Sequence, residues 1–290
     1  MKLVDIIPAH NTLGEGVSWH HETQSLWWTD IQARKLWRHD LAGKTTSSFD
    51  TPERLTSFGF IDDSETFVAA FESGIGIHKP GRPDISWLHR PHFDIPGLRF
   101  NDGRVDRQGR FWTGTMVETT GGPKAGTLHS IGGDRVVRTH ADGISISNGI
   151  CWSPDSRRFY FADSPTRTIY VYDFDFDTGA ISNRRVFART PEGAYPDGAN
   201  VDAEGFLWSA HWGAGRVVRY SPNGGIDGAI EIPTEQPTCV AFGGPDLDLL
   251  FVTSARDGLS SETLARQPHA GDVFVYKVSV PGLSDGRFII

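Results

Sequence analysis

A five-residue apolar and aromatic phrase recurs six times along the chain, about every 45 residues. Each copy follows a short apolar run and a polar turn, and each precedes a run in which apolar and polar residues alternate, such as 168–172. Short β-branched and aromatic runs bounded by Gly, Pro, Asn and Asp are typical of strands joined by turns. The pattern therefore predicts four antiparallel strands per repeat. The six copies of the phrase span 26–30, 67–71, 111–115, 159–163, 207–211 and 250–254.

Six repeats of this kind predict an all-β fold, a six-bladed β-propeller with four antiparallel strands per blade. The repeats account for nearly all of the 290 residues, so we expect a single domain over 1–290. Residues 2–7 are strand-like and precede the first repeat, and they should supply the outer strand of the last blade. Turns are predicted at 62–65, 106–109, 153–156 and 202–205, and no amphipathic helix of useful length is predicted.

Composition narrows the classes of partner. The net charge of −8 argues against nucleic acid, because a phosphate-binding protein needs a basic face. No stretch approaches transmembrane length and no secretory signal precedes the first repeat, so no membrane partner is expected. Cys151 and Cys239, the only cysteines, lie in apolar strands of different repeats. Buried free thiols and a cytoplasmic location are therefore expected.

The positions at which the repeats differ indicate where function lies. The first and second strands of a blade are antiparallel neighbours, so the start of the first and the end of the second share one face of the disc. Four of the six starting positions carry a carboxylate or carboxamide, an oxygen-rich set that suits a divalent ion such as calcium, magnesium or manganese. The starting positions read Glu15, Phe58 or Gly59, Asn101, Asn148, Asp197, and Thr238 or Cys239.

A turn-forming role is the alternative, since Asn148-Gly149 and Asp197-Gly198 are also strong hairpin signals. Each repeat already has a hairpin turn a few residues later, which favours a metal or ligand site. At the ends of the second strands, Asp30 and Asp163 are expected to cap turns. His211 ends the second strand of the repeat that carries Asp197, and it could ligate, accept a proton, contact substrate or pack at the channel mouth.

Several short motifs place the chain near a known family. Phosphate-loop, nucleophile-elbow and dinucleotide motifs are absent from the sequence. The chain instead resembles the regucalcin/gluconolactonase family, also known through senescence marker protein, in correctly ordered motifs from about residue 10 to 278. The motifs are Leu-Gly-Glu-Gly (13–16), Arg-Phe-Asn-Asp-Gly-Arg (99–104), Gly-Thr-Met (114–116), Ile-Ser-Asn-Gly (146–149), Pro-Asp-Gly (196–198) and Ala-Arg-Asp-Gly (255–258).

The resemblance implies a six-bladed propeller and a site with assigned residues. In this family most members are sugar-acid lactonases with one divalent ion in the channel. By resemblance the metal ligands are Glu15, Asn148 and Asp197, and Arg99 and Asn101 match substrate contacts. A glutamate shortly after Gly-Thr-Met also contacts substrate in some members, and its nearest match is Glu118, displaced by one residue of spacing. The resemblance assigns nothing to His211.

The expected function is metal-dependent hydrolysis of an aldonolactone, such as gluconolactone or a pentonolactone, to the free acid in sugar catabolism. Asp197 is the expected general base, and the ion is calcium, manganese, zinc, magnesium or ferrous iron. The expected partner is a small-molecule sugar lactone. Two alternatives remain open, a related propeller esterase or phosphotriesterase and a non-catalytic metal-binding propeller.

Overall fold

A computed structural model describes residues 1–62, 65–119 and 121–290. Within these ranges, 24 strands form six separate sheets of four antiparallel strands, and each sheet is one blade. The predicted all-β, six-bladed propeller is therefore confirmed. The turn predicted over 62–65 includes Asp63 and Ser64, which lie outside the described residues.

Each blade is built from strands that follow one another along the chain, starting at the central channel. We number the blades I to VI in chain order. Blades I to III comprise β2 (Gly14–His20), β3 (Ser25–Asp30), β4 (Lys35–Asp40), β5 (Thr45–Asp50); β6 (Leu55–Ile61), β7 (Thr66–Phe71), β8 (Gly74–His78), β9 (Ser86–His89); β10 (Leu98–Val105), β11 (Phe111–Val117), β12 (Gly126–Ile131) and β13 (Val137–Ile144). Blades IV to VI comprise β14 (Ser147–Trp152), β15 (Arg158–Asp163), β16 (Thr168–Phe174), β17 (Ile181–Arg189); β18 (Tyr195–Val201), β19 (Leu207–Trp212), β20 (Arg216–Tyr220), β21 (Ile226–Glu231); β22 (Pro237–Gly243), β23 (Leu249–Ser254), β24 (Val273–Lys277) and β1 (Lys2–Ile7).

The ring is closed by the N-terminal strand. Strand β1 pairs with β24 in blade VI, from Lys2 opposite Lys277 to Ile7 opposite Val273, as the sequence predicts. A six-residue helix, α1 (Ser261–Arg266), lies between β23 and β24 and is capped by the Ser260 side chain. No helix among the described residues has the length and apolar character needed to cross a bilayer.

The core lies between neighbouring blades. Successive side chains of a strand point to opposite faces, so one strand fills two adjoining layers. Trp27 packs with Phe58 and Phe67 of blade II, whereas its neighbour Trp28 packs with Phe251 of blade VI. Both cysteines are free thiols buried in such layers. These observations confirm that the aromatic phrases pack between blades.

The chain continues past the last blade and crosses the lower face of the disc, which carries the ends of the first strands. Gly282 pairs with Asp202 of blade V, and the Phe288 N–H donates to the Phe60 carbonyl of blade II. The Ile289 N–H donates to Gly109 of blade III. This C-terminal segment, residues 279–290, therefore ties together blades on opposite sides of the channel.

In two blades, an aspartate at the equivalent position fixes the turn between the first and second strands. Asp202 accepts the backbone N–H groups of Glu204 and Phe206, the Trp208 indole N–H at 2.9 Å and the Arg219 guanidinium at 2.7 Å. Asp106 accepts the equivalent bonds in blade III, including that of the Trp112 indole at 2.9 Å. One buried carboxylate thus joins the turn to the aromatic strand behind it.

Replacing Asp202 with alanine should lower the free energy of unfolding by about 3 kcal/mol, because it leaves the buried Trp208 indole N–H unpaired and removes the fully buried carboxylate partner of Arg219. Urea denaturation measures the change. Asp227→Ala is the matched control, since Asp227 is a half-exposed partner of the same Arg219 and should cost less than about 1 kcal/mol. Equal losses in the two variants would contradict this role for Asp202.

Candidate active site

Strand pairing places six oxygen-bearing side chains in one ring at the upper end of the channel. The first and second strands pair Gly14 with Asp30 and Pro196 with His211, and the other blades align in the same way. The two predicted sets of positions therefore share one face of the disc. The next residue of each first strand completes what we call the oxygen ring: Glu15, Thr56, Asn101, Asn148, Asp197 and Thr238.

This register corrects two predicted positions. In blade II the member of the ring is Thr56, because the strand starts at Leu55, so the predicted Phe58 or Gly59 is wrong. In blade VI it is Thr238, whereas Cys239 is one residue too late. The Thr56 hydroxyl donates to Ala70 O at 3.1 Å, and the Thr238 hydroxyl bonds to Gly14 O. The two threonine hydroxyls thus hold strands together. The other four members of the ring carry the carboxylate and carboxamide oxygens that could bind a ligand.

A break in strand pairing frees the ring side chains to point away from the sheet. In all six blades the register shifts at or just after the ring position, for example between Glu15 and Ser18 and between Asn148 and Cys151. Such a bulge interrupts the ladder and re-aims side chains. Gly16 and Gly149 have backbone φ angles of 58° and 65°, which residues with a side chain rarely adopt. The Asn148-Gly149 pair therefore forms a bulge, and the alternative of a simple hairpin turn fails.

A chain of hydrogen bonds orients the carboxamides. Asn101 Nδ2 donates to Asn148 Oδ1 at 3.1 Å and to the Ser147 carbonyl at 2.9 Å. Asn148 Nδ2 donates to Ser164 Oγ at 2.8 Å, and that hydroxyl donates to the Pro196 carbonyl at 2.7 Å. This series of hydrogen bonds ends at Pro196, the residue before Asp197. It therefore links Asn101, Asn148 and the strand of Asp197, on three blades, in one arrangement.

Three acidic side chains crowd the same buried region. Glu15, Asp102 and Asp197 are each less than a tenth exposed. Burial, followed by the Asp102 charge, raises the pKa of Glu15 to about 8, and the Gly16 N–H on Glu15 at 3.0 Å only partly opposes this. Burial, then Glu15 and Asp102, also raises the pKa of Asp197. Asp102 was missed by sequence reasoning, although it lies within a quoted motif.

The donors suit a divalent cation that prefers oxygen. Among the described residues no group of three or more His, Cys, Asp or Glu side chains could hold a metal ion. The candidate set has only two such groups, Glu15 and Asp197, and its third member is the Asn148 carboxamide. Hard cations accept carboxylate and carboxamide oxygens alike. A cation would also offset the burial and the carboxylate repulsion that raise the pKa of Glu15 and Asp197, so the residues present fit the group.

A second network lies at the rim of the same face. Glu118 Oε1 accepts from Arg99 Nε at 2.7 Å and from Arg54 Nη1 at 2.8 Å. Arg99 Nη1 also donates to Asn101 Oδ1 at 2.8 Å, which joins this network to the oxygen ring. Arg54 Nε donates a hydrogen bond to Glu72 Oε2 at 2.7 Å, which extends the network to Glu72. No sequence pattern marks Arg54 as a site residue, because it lies just before a strand and outside the repeated phrases.

The other predicted residues have distinct surroundings. His211 is fully buried against Tyr220 of its own blade, with Nε2 3.2 Å from the phenol oxygen. Burial, with a smaller contribution from Arg216, lowers the pKa of His211 to about 3. Asp30 accepts from the Thr12 and Leu13 N–H groups, and Asp163 accepts from those of Ser145 and Ile146. The expected capping role of these aspartates is confirmed.

Comparison with known proteins places this geometry in a family. Residues 13–256 match the SMP-30/Gluconolactonase/LRE-like region. The chain is 38% identical to L-arabinolactonase of Azospirillum brasilense over 96% of this chain and 92% of that protein. It is 37% identical to 6-deoxy-6-sulfogluconolactonase of Pseudomonas putida, over 98% and 97%.

A solved structure agrees with both the sequence and the fold. The crystal structure of a calcium-binding protein, regucalcin, from Agrobacterium tumefaciens superposes with a TM-score of 0.93 and 30% identity. The alignment covers 99% of this chain and 98% of that one. The similarity therefore spans every blade, including those that carry the oxygen ring.

The raised pKa of Glu15 predicts how stability depends on pH. Between the ordinary value of 4.5 and about 8, the folded protein retains a proton that the unfolded chain has released. Cation-free protein should therefore lose stability as pH rises through this window. Thermal melting in a chelating buffer should show a shallower loss in Glu15→Gln than in wild type. The exposed Glu262→Gln is the control, and identical slopes in wild type and Glu15→Gln would contradict the assignment.

Proposed function

The chain belongs to the SMP-30/gluconolactonase/LRE-like family, and we propose that it hydrolyses a sugar-acid lactone to the free acid at the oxygen ring, with one divalent metal ion. The observation that carries the proposal is that Glu15 and Asp197 are buried near enough to interact electrostatically, while Asn148 is hydrogen-bonded through Ser164 to the Pro196 carbonyl beside Asp197. Similarity to two lactonases over nearly the whole chain supports the reaction class. Similarity to a calcium-binding regucalcin supports the ion.

The reaction needs an activated carbonyl, a water and a place for the developing negative charge. A divalent ion, when bound by Glu15, Asn148 and Asp197, would polarise the lactone carbonyl and supply the positive charge that favours ionised carboxylates. Ionised Asp197 accepts the proton of the attacking water and returns it to the ring oxygen as the acyl–oxygen bond of the lactone breaks, which leaves the free acid and a hydroxyl group. Asn101 holds the Asn148 oxygen in place through its amide group. The buried site limits the solvent that competes for these groups.

In this proposal, the rim network of Arg54, Arg99 and Glu118 orients the sugar. Arg99 is almost fully buried and fixed by Glu118 and Asn101, whereas Glu118 is 30% exposed. Glu118 is therefore the member of this network that offers oxygen atoms to substrate hydroxyls, as a carboxylate that both arginines stabilise. Burial opposes ionisation, but hydrogen bonds from Arg54 and Arg99 lower the pKa of Glu118 overall. The substrate in this proposal is an aldonolactone such as gluconolactone or a pentonolactone, and His211 is a packing residue.

The proposal includes a cellular setting. The two buried free thiols fit a reducing cytoplasm, where disulfides are rare. The six blades would act as one domain, since every member of the oxygen ring comes from a different blade.

The direct test is acid release from a panel of aldonolactones by metal-stripped protein, with calcium, manganese, zinc, magnesium or ferrous ion added back. The proposal expects turnover that disappears with the chelator and returns with at least one ion. Aryl esters and phosphotriesters belong in the same panel. Turnover of those compounds alone, or of none with the ion bound, would contradict the proposed lactonase.

Asp197→Asn should lower kcat/KM at saturating metal by at least about a hundredfold, because an amide cannot accept the proton of water. Steady-state acid release measures the change, and circular dichroism checks the fold. Asp257→Asn is the matched control, since Asp257 is an exposed carboxylate beyond β23 on the same face. Near wild-type turnover in Asp197→Asn would refute the role of general base.

Arg54→Met should raise KM for the lactone about tenfold while kcat stays within about twofold, because Glu118 loses the contacts that fix both of its oxygens. Arg54→Lys should recover part of the loss. The control is Arg34→Met, since Arg34 is half exposed and 3.7 Å from Glu72. A fall in kcat with unchanged KM would argue that Arg54 serves the chemical step instead.

A further inference from the structure

One arginine lies across the channel below the oxygen ring. Arg104 belongs to β10 of blade III, and its Nη1 donates to both carboxylate oxygens of Asp285 at 2.8 Å. Its Nη2 lies 3.4 Å from the carbonyl oxygens of Ala199 in blade V and Val240 in blade VI. A side chain that reaches these blades from blade III occupies the middle of the propeller. It is buried there as a permanent positive charge.

The counter-ion of this arginine comes from outside the blades. Asp285 belongs to the C-terminal segment, and it also accepts a hydrogen bond from the Ser18 hydroxyl of blade I at 3.4 Å. The segment is anchored on either side of it, by Gly282 N–H on Leu247 O and Phe288 N–H on Phe60 O. Asp285 is therefore held in place whether or not anything binds above it.

Arg104 and Asp285 line a small cavity whose other lining residues include sequence neighbours of the oxygen ring. A cavity of about 10 Å³, near the volume that one water needs, is lined by Gly16, Asp102, Gly103, Arg104 and Asp285, among others. Gly16 and Asp102 each directly follow a member of the ring. The Arg104 charge acts on the same acids, since it lowers the pKa of Glu15 and Asp102 against the larger effect of burial. The guanidinium is thus electrostatically coupled to Glu15 of the ring across this small cavity.

We propose that Arg104 and Asp285 together set the affinity of the oxygen ring for its divalent cation. Arg104 acts as an internal positive charge that competes with the cation, and Asp285 offsets that competition. Both are positioning residues, because neither touches the cation or the substrate. The inference rests on the proposed function, since it takes Glu15, Asn148 and Asp197 as the cation site.

Calorimetric titration of the metal-stripped, full-length protein with Ca²⁺, and separately with Mn²⁺, tests this proposal at a pH above 8, where Glu15 has no proton to lose when the ion binds. Asp285→Asn should weaken binding about tenfold, because it leaves the Arg104 charge without its carboxylate. Arg104→Met should tighten binding about tenfold, because it removes the competing charge. Such factors correspond to one partly screened interaction between charges near a protein surface. A purely structural role for the pair would not move the two dissociation constants in opposite directions.

Three further variants complete the design. Arg104→Lys keeps the charge without the two-pronged contact and should stay within about twofold of wild type. Asp248→Asn and Arg185→Met make the same charge changes in ion pairs far from the channel, at Lys277 and Asp173, and should leave the dissociation constant unchanged. Circular dichroism and thermal melting check folding. If Arg104→Met does not fold, Asp285→Asn and Arg104→Lys carry the comparison.

The outcomes separate the inference from the function beneath it. Opposite shifts in Asp285→Asn and Arg104→Met, or weaker binding in the first with Arg104→Lys unchanged, support the inference. Unchanged or equally weakened binding in folded Asp285→Asn and Arg104→Met overturns it, while wild-type binding and lactone turnover leave the proposed function standing. Wild-type protein that binds neither ion overturns both.

Discussion

Burial of neighbouring carboxylates is the constraint on which the rest of this molecule depends. Glu15, Asp102 and Asp197 share a region with little solvent, where burial raises the pKa of all three and the Asp102 charge further raises that of Glu15 and Asp197. Such an arrangement costs stability unless positive charge compensates it. The propeller supplies rigidity from aromatic layers between blades, so the side chains cannot relax apart. In the proposed function, the packing that makes the proximity of the acids unfavourable also holds them in place for a cation.

The architecture could be predicted because the sequence repeats. Six copies of an aromatic phrase gave the number of blades, and alternation gave the strands. The site followed less completely. In blade II the sequence pattern places the ring member at Phe58 or Gly59, whereas strand pairing selects Thr56. A bulge is a property of pairing, so no single strand reveals it. The side-chain direction of His211, toward Tyr220, was equally invisible in the pattern.

Long-range ion pairs were the least predictable part of the site. Arg104 and Asp285 are 181 positions apart, and Arg54 and Glu118 are 64 apart. The two pairs flank the oxygen ring from below and above. Above it, the carboxylate at the rim is paired with arginines yet partly exposed, which suits contact with sugar hydroxyls. Below it, the arginine is enclosed, which suits an effect through charge alone. In the proposed function, the same kind of interaction would serve recognition at one end of the channel and cation affinity at the other.

The central claim is that one divalent cation binds where Glu15, Asn148 and Asp197 converge. Anomalous diffraction from crystals soaked in Mn²⁺ tests it directly. The account predicts one strong peak within about 2.0–2.6 Å of an oxygen of each of the three side chains. A fully loaded crystal with its peak elsewhere, or with these three side chains turned away from the ion, would contradict the account.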